Sequence, residues 1–94
     1  MDQPEVASKL VYTQSGPVRA KVGTRYLVVV RSHEFGNADF EGTLKAIQSL
    51  DPNPLGQSHL RVFDFLHFED VADSVSGGRG ARDFTIQRLA EVPS

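Results

Sequence analysis

Hydrophobic and polar positions alternate along much of the chain, the period-two pattern of strands with one buried face. Val18-Arg19-Ala20-Lys21-Val22 is the cleanest case, with Val18, Ala20 and Val22 on one face and Arg19 and Lys21 on the other. A shorter run covers Lys9 to Thr13. Thr24 to Glu34 is the strongest strand signal. Tyr26, Val28 and Val30 share one face and Leu27 and Val29 the other, so this strand is expected to be central or covered on both sides. Leu60 to Phe68 is similar, with Leu60, Val62, Leu66 and Phe68 set against Phe63 and Phe65. Asp83 to Val92 closes the series, with Phe84 and Ile86 inward and Thr85 and Gln87 outward. Its alternation breaks at Arg88-Leu89, which marks a bulge or a strand end.

Turn residues punctuate these runs. Ser15-Gly16-Pro17, Val22-Gly23-Thr24, Phe35-Gly36-Asn37, Asp51-Pro52-Asn53-Pro54-Leu55-Gly56 and Ser76-Gly77-Gly78-Arg79-Gly80 all read as turns. Asn37 to Leu50 reads two ways. Phe40, Leu44, Ile47 and Leu50 recur with helical spacing, Asn37 or Asp39 as cap and Pro52 as stop. Gly42 and Thr43 weaken a helix there. As a strand, Phe40, Gly42, Leu44 and Ala46 line one face. The strand version gives a mainly β fold, a small antiparallel barrel of five to six strands. The helix version gives an α+β sheet with one helix at about residues 39–50.

The 94 residues suit one small domain, with residues 1–8 as a flexible lead-in and 9–94 as the β-rich body. There is no cysteine, which excludes disulfides, thiolate metal sites and cysteine nucleophiles. No apolar run approaches the roughly 18 residues of a membrane span, and the acidic start does not resemble a secretory leader, so a cytoplasmic protein with no membrane partner is expected. The net charge of −2 is unevenly spread: residues 1–33 carry +3, residues 34–72 carry −5 and residues 73–94 balance. That is no footprint for non-specific nucleic-acid binding, but it is compatible with one basic and one acidic face.

Phe40-Glu41-Gly42-Thr43-Leu44-Lys45-Ala46-Ile47 resembles the first signature of the Sm-like barrels, a strand of the form glycine, any residue, leucine. Gly78-Arg79-Gly80 followed by Phe84-Thr85-Ile86 is similar to their arginine–glycine turn and final strand. The resemblance implies a ring of six or seven subunits that binds single-stranded RNA. The family's base pocket has Asp and Asn soon after the first signature. Here Gln48 and Asn53 are the nearest candidates, and the stretch from Leu55 to Ser76 is longer than the family's linker. Arg61-Val62-Phe63-Asp64-Phe65 also suits other SH3-like barrels, so the likeness extends to that wider fold group.

Candidate chemistry is sparse. His67 and Glu69 share one face of a strand and are the weak candidates for a divalent metal or for acid–base work, with Asp64 and Asp70 on the other face. Acidic residues that close a strand are the commoner role for such a set. Ser32, Ser58 and Ser76 lack a nucleophile elbow, and a ribonuclease built on His59, His67 and Arg61 sits poorly with the acidic balance. Ser76 to Gly80 has no phosphate-loop spacing, so no cofactor is expected. Tyr26, Phe63 and Phe65 could stack bases, although most of eight aromatics are needed inside. The expected function is a non-enzymatic binding module acting on another protein or on copies of itself. Its binding residues would be Arg19, Lys21, Arg25, Arg79 and Arg82, a basic patch if the first and last strands adjoin, with Glu69 and Asp70 as a second, acidic surface. Single-stranded RNA binding is the alternative partner reading, and a small metal-dependent enzyme on His67 and Glu69 the third.

Overall fold

The computed structural model of the chain describes residues 7–51, 62–71 and 78–93. The described residues form seven strands and one short 3-10 turn: β1 (Ser8–Thr13), β2 (Gly16–Lys21), β3 (Arg25–Val30), β4 (Ala38–Leu50), β5 (Phe63–Glu69), β6 (Gly78–Arg82), the 3-10 turn Asp83–Thr85, and β7 (Ile86–Glu91). They form two antiparallel sheets, the hairpin β1-β2 and a five-stranded sheet in the order β6-β5-β4-β3-β7. Among the described residues the larger ladder does not close; β6 and β7 are its edges. No helix among them is long and apolar enough to cross a membrane.

The helix alternative for residues 39–50 is overturned, and the structure explains why the spacing was misleading. Leu44 pairs with Phe68 while Ala46 pairs with His67, so Lys45 is an extra residue, a β-bulge. A bulge shifts the side-chain phase by one. Phe40, Gly42 and Leu44 point to the core before it, and Ile47 packs on the core after it. A strand with a bulge thus reproduces the intervals of four and three residues that mimic a helical face. Ala46, expected on the core face, is exposed for the same reason.

A second bulge falls in β7. Val30 pairs with Ile86 and Val29 with Arg88, leaving Gln87 unpaired in the ladder. Both Ile86 and Leu89 are therefore buried. The break expected at Arg88-Leu89 is this bulge. Phe84 and Thr85, however, are reversed from expectation. They lie in the 3-10 turn, where Thr85 is buried with its hydroxyl donating to the Arg82 carbonyl at 2.7 Å, and Phe84 is 49% exposed.

Other elements are trimmed or moved. The strongest strand ends at Val30, and residues 33–35 form a turn. It is central, but its outer face has no second cover, since Leu27 is 41% exposed. Gly78, Arg79 and Gly80, expected in a turn, begin β6 and pair with β5. Val62 lies outside the strand and exposed rather than inward. Residues 1–6 of the expected lead-in, the Pro52–Gly56 part of one turn, Leu60 and Arg61, and Ser76 and Gly77 lie outside the described residues. Ser8, given to the lead-in, opens β1.

The large sheet is strongly curled. In a flat five-stranded sheet the edges stand about 19 Å apart, four spacings of roughly 4.8 Å. The chain passes from edge β6 to edge β7 through the 3-10 turn alone. Four Cα steps span at most about 15 Å, and roughly 8 Å in 3-10 geometry. Only a sheet whose edges turn toward each other at this corner can be joined so.

The hairpin β1-β2 lies across the concave face. Val11 and Ala20 are fully buried in the same core as Tyr26, Val28, Leu44, Leu66, Phe68 and Ile86. Polar contacts secure both ends of β1: Lys9 Nζ donates to Ser49 Oγ and Asp64 Oδ1, both at 2.7 Å, and the Gln14 N–H donates to the Ile86 carbonyl at 2.8 Å. The Lys21 N–H donates to the Tyr26 hydroxyl at 2.9 Å, which satisfies the one polar atom on a buried ring.

Two glycines serve close packing. A Cβ at Gly42 would stand 2.8 Å from a Val71 methyl and 3.2 Å from the Phe68 Cβ. A Cβ at Gly80 would stand 2.1 Å from the Phe65 ring. The Phe65 ring tip can swing aside, whereas Phe68 Cβ sits beside the backbone and cannot. Gly42→Ala should therefore cost about 1–3 kcal/mol and Gly80→Ala roughly 1 kcal/mol in urea unfolding. The Gly80→Ala cost should vanish in a Phe65→Ala background; an undiminished cost there would mean that Gly80 is needed for its backbone and not for the ring above it.

Candidate functional site

Side chains on the outer face of β5 are Phe63, Phe65, His67 and Glu69, since Asp64, Leu66 and Phe68 point inward. Arg82 stands opposite Phe65 on the same outer face. The curl brings two further rings to this place. Phe84, projected outward by the 3-10 turn, packs edge-on to Phe63 with centroids 5.6 Å apart. Phe35, from the β3-β4 turn, lies 6.5 Å from Phe84. The Arg82 guanidinium carbon sits 3.9 Å over the Phe35 ring and 5.9 and 5.8 Å from the rings of Phe63 and Phe65. Three of the chain's six phenylalanines thus lie around one arginine at the surface, and a fourth, Phe84, packs on two of them. Phe35 is 46% exposed and Phe84 49%. A small domain with a limited core leaves such rings outside at a cost in hydrophobic burial.

The basic residues expected to form one patch are divided among three places. Arg19 and Lys21 are exposed on the outer face of the hairpin, where Leu10 pairs with Arg19 and Tyr12 with Pro17. Tyr12 is 62% exposed. Arg25 is committed to the sheet: its Nε donates to Glu41 at 2.5 Å and its Nη1 to the Asp70 carbonyl at 3.1 Å. Arg79 and Arg82 lie on opposite faces of β6, Arg79 opposite the inward Phe68 and Arg82 opposite the outward Phe65. Arg79 is exposed and sits 5.0 Å over the Phe40 ring. Between β6 and the β3-β4 turn lies a small cavity of about 80 Å3, lined in part by Arg79, Arg82, Phe35 and Val30. The first and last strands adjoin at one end, where Gln14 and Ser15 just after β1 donate to the Ile86 and Gln87 carbonyls at the start of β7.

The acidic surface sits at the exit of β5. Glu69 ends the strand exposed, and Asp70 follows at φ 53°, a left-handed position that aspartate tolerates. His67 Nε2 lies 3.1 Å from Gln48 Oε1, and the ring packs 4.8 Å from that of Phe65. His67 and Glu69 do share a face, but no group of three His, Cys, Asp or Glu converges among the described residues. Tyr26 is core, while Phe63 and Phe65 are half-buried on the outer face. Of the other nominated residues, Asn53, Ser58, His59, Arg61 and Ser76 lie outside the described residues.

Sequence reasoning gave Phe35 and Phe84 no part in a surface, placing Phe84 in the core, and did not pair Asp64 with Asp83. The signals were present: a phenylalanine in the polar turn Ser32-His33-Glu34-Phe35-Gly36-Asn37, and an aspartate at an inward position between Phe63 and Phe65. Asp64 is buried and accepts from Lys9 and from the Ser49 hydroxyl. Asp83 is buried beside it and accepts from the backbone N–H groups of Asp64 and Phe84, at 3.3 and 2.6 Å. These two bonds hold the 3-10 turn against the start of β5 and so set where Phe84 projects. Burial pushes the Asp83 carboxyl above the ordinary carboxylate range, against those two hydrogen bonds, with the Asp64 charge adding to the rise and the Lys9 charge opposing it. At the rim, the Arg31 guanidinium, 2.6 Å from Asp39, holds that exposed carboxyl below its usual range. Arg31 also borders an open cleft of about 600 Å3 shared with Gln14, Ser32, His33, Gly36 and Asn37. No protein-family model, curated protein or solved structure matches this chain.

The raised Asp83 carboxyl predicts a pH effect with a definite sign. The folded state holds this proton more tightly than the unfolded chain, so Asp83 stabilises at pH below the ordinary carboxylate value of about 3.9 and loses that contribution as pH rises through the raised value. Asp83→Asn keeps an acceptor but cannot titrate. Relative to this variant, the wild type should gain stability as pH falls from 7 toward 4. Urea midpoints of both proteins across that range check it, and parallel profiles would show that Asp83 is not perturbed.

Proposed function

We propose that the chain is a non-enzymatic, cytoplasmic binding module whose main partner is another protein. The single observation that carries this reading is the outward cluster of Phe35, Phe63 and Phe65 around Arg82, extended by Phe84. Aromatic residues and arginine are the types most enriched at the energetic centres of protein interfaces. The edges β6 and β7 add backbone groups to which a partner strand could pair. The three-residue link between those edges supports reading the curled sheet and its hairpin as a partly open barrel of the SH3- or Sm-like kind.

The Sm-like RNA-binding ring is the second reading. It is favoured by Arg79, exposed within Gly78-Arg79-Gly80 on an edge strand, and by Gly42 and Leu44 on the bent strand β4. Against it stand the acidic balance of the chain and the engagement of Gln48 with His67. Self-assembly through the sheet edges belongs to either reading. A metal enzyme on His67 and Glu69 draws only on their shared strand face.

Affinity capture separates the first two. A partner protein should be retained by the wild type and lost with Phe84→Ser or Phe35→Ser, with the fold unchanged because both rings are half-exposed. Fluorescein-labelled oligo(U) should show no salt-steep binding. Oligo(U) affinity that falls several-fold between about 50 and 200 mM salt, is lost on Arg79→Ala, and accompanies a ring mass in light scattering would replace the protein reading with the RNA ring.

A further inference from the structure

The arginines of the large sheet differ in how their guanidinium groups are used. Arg25 ends on Glu41 and Arg31 on Asp39. Arg82 meets no carboxylate among the described residues; its partners are rings. A ring contacts the flat face of a guanidinium and leaves the N–H donors at its edge available. Those donors sit in a half-buried, apolar setting, where a charge-assisted bond is stronger than in open water. Arg82 is also held in place, because the rings of Phe35, Phe63 and Phe65 around its guanidinium limit its rotamers, so little side-chain entropy is lost on binding.

A guanidinium fork suits a carboxylate or a phosphate. Affinity for a nucleic-acid strand comes from several cations along a groove. Here Arg82 is the one cation within ring distance of Phe35, Phe63 and Phe65 among the described residues, and Glu34 is the chain neighbour of Phe35. A single fork among three apolar rings, with Phe84 beside them, suits one carboxylate carried by an otherwise apolar segment. Resting on the protein-binding reading above, we infer that this patch takes a partner segment presenting an aspartate or glutamate beside apolar side chains. Arg82 grips the carboxylate through paired N–H donors, and Phe35 and Phe84 cover the apolar flank.

A randomised dodecapeptide display library selected on the immobilised full-length protein tests this, with enriched peptides then labelled and measured by fluorescence anisotropy. Enriched peptides should carry Asp or Glu next to apolar residues. Their affinity should fall about tenfold or more when that residue becomes Asn or Gln, or in Arg82→Gln, the loss of one charge-assisted bond. Arg82→Lys, which keeps the charge and loses the fork, should fall between the two, and its amide spectrum should remain that of the wild type. Peptides that are lost on Phe84→Ala but indifferent to the carboxylate and to Arg82→Gln would overturn the carboxylate inference and leave the patch as a binding surface. No enrichment, or enrichment indifferent to Phe84→Ala as well, would overturn both. Oligo(U) binding that disappears in Arg82→Gln would assign the fork to phosphate and overturn the inference in favour of RNA.

Discussion

The constraint on which the structure depends is the short passage from one edge of the large sheet to the other. Three residues, Asp83–Thr85, carry the chain from β6 to β7. Five strands joined this way cannot lie flat. The bend is taken up in β4, the longest strand, through the close-packed Gly42 and the extra residue Lys45. The resulting concave face is what the hairpin β1-β2 fills, and the core forms between them around Leu44, Leu66, Tyr26 and Ile86.

The corner itself is held by polar groups under apolar ones. Asp83 receives the N–H groups of Asp64 and Phe84, and Asp64 receives Lys9 and Ser49. Two buried carboxylates and one lysine tie β1, β4, β5 and the 3-10 turn into one unit. Such an arrangement is weak evidence for net stability, because burying charges is costly. Its value is positional: it fixes the turn from which Phe84 projects. Above it, the rings of Phe35, Phe63 and Phe84 meet at the surface because the curl brings the β3-β4 turn, β5 and the 3-10 turn together. The surface proposed for binding is thus a by-product of curling the sheet, and Arg82 stands at its centre.

Much of the strand content was legible. Alternation located β1, β2, β3 and β5, because each has one face on the core and a period of two follows directly. The glycine turns at Gly16 and Gly23 have positive φ, as their composition implies. Residues 38–50 resisted reading because a bulge and a helix leave the same trace over so short a span. Gly78-Arg79-Gly80 resisted for a different reason. Glycines usually mark turns, and here at least Gly80 sits in a strand because a ring from the neighbouring strand covers it.

The candidate site was legible only in fragments. Arg82, Phe63 and Phe65 were all nominated, but for separate roles, and Arg19, Lys21 and Arg25 were grouped with Arg82 although the fold parts them. By itself the sequence determined most of the extended segments, where most of them turn, and that no thiol chemistry is available. These are local properties, set by side-chain period, backbone freedom and residue type. Tertiary structure alone decided which face of each bulged strand is inside, which charges find partners, and that four distant phenylalanines meet in one cluster beside an arginine. Those outcomes depend on strand register and sheet curvature, which arise from contacts between residues far apart in the chain.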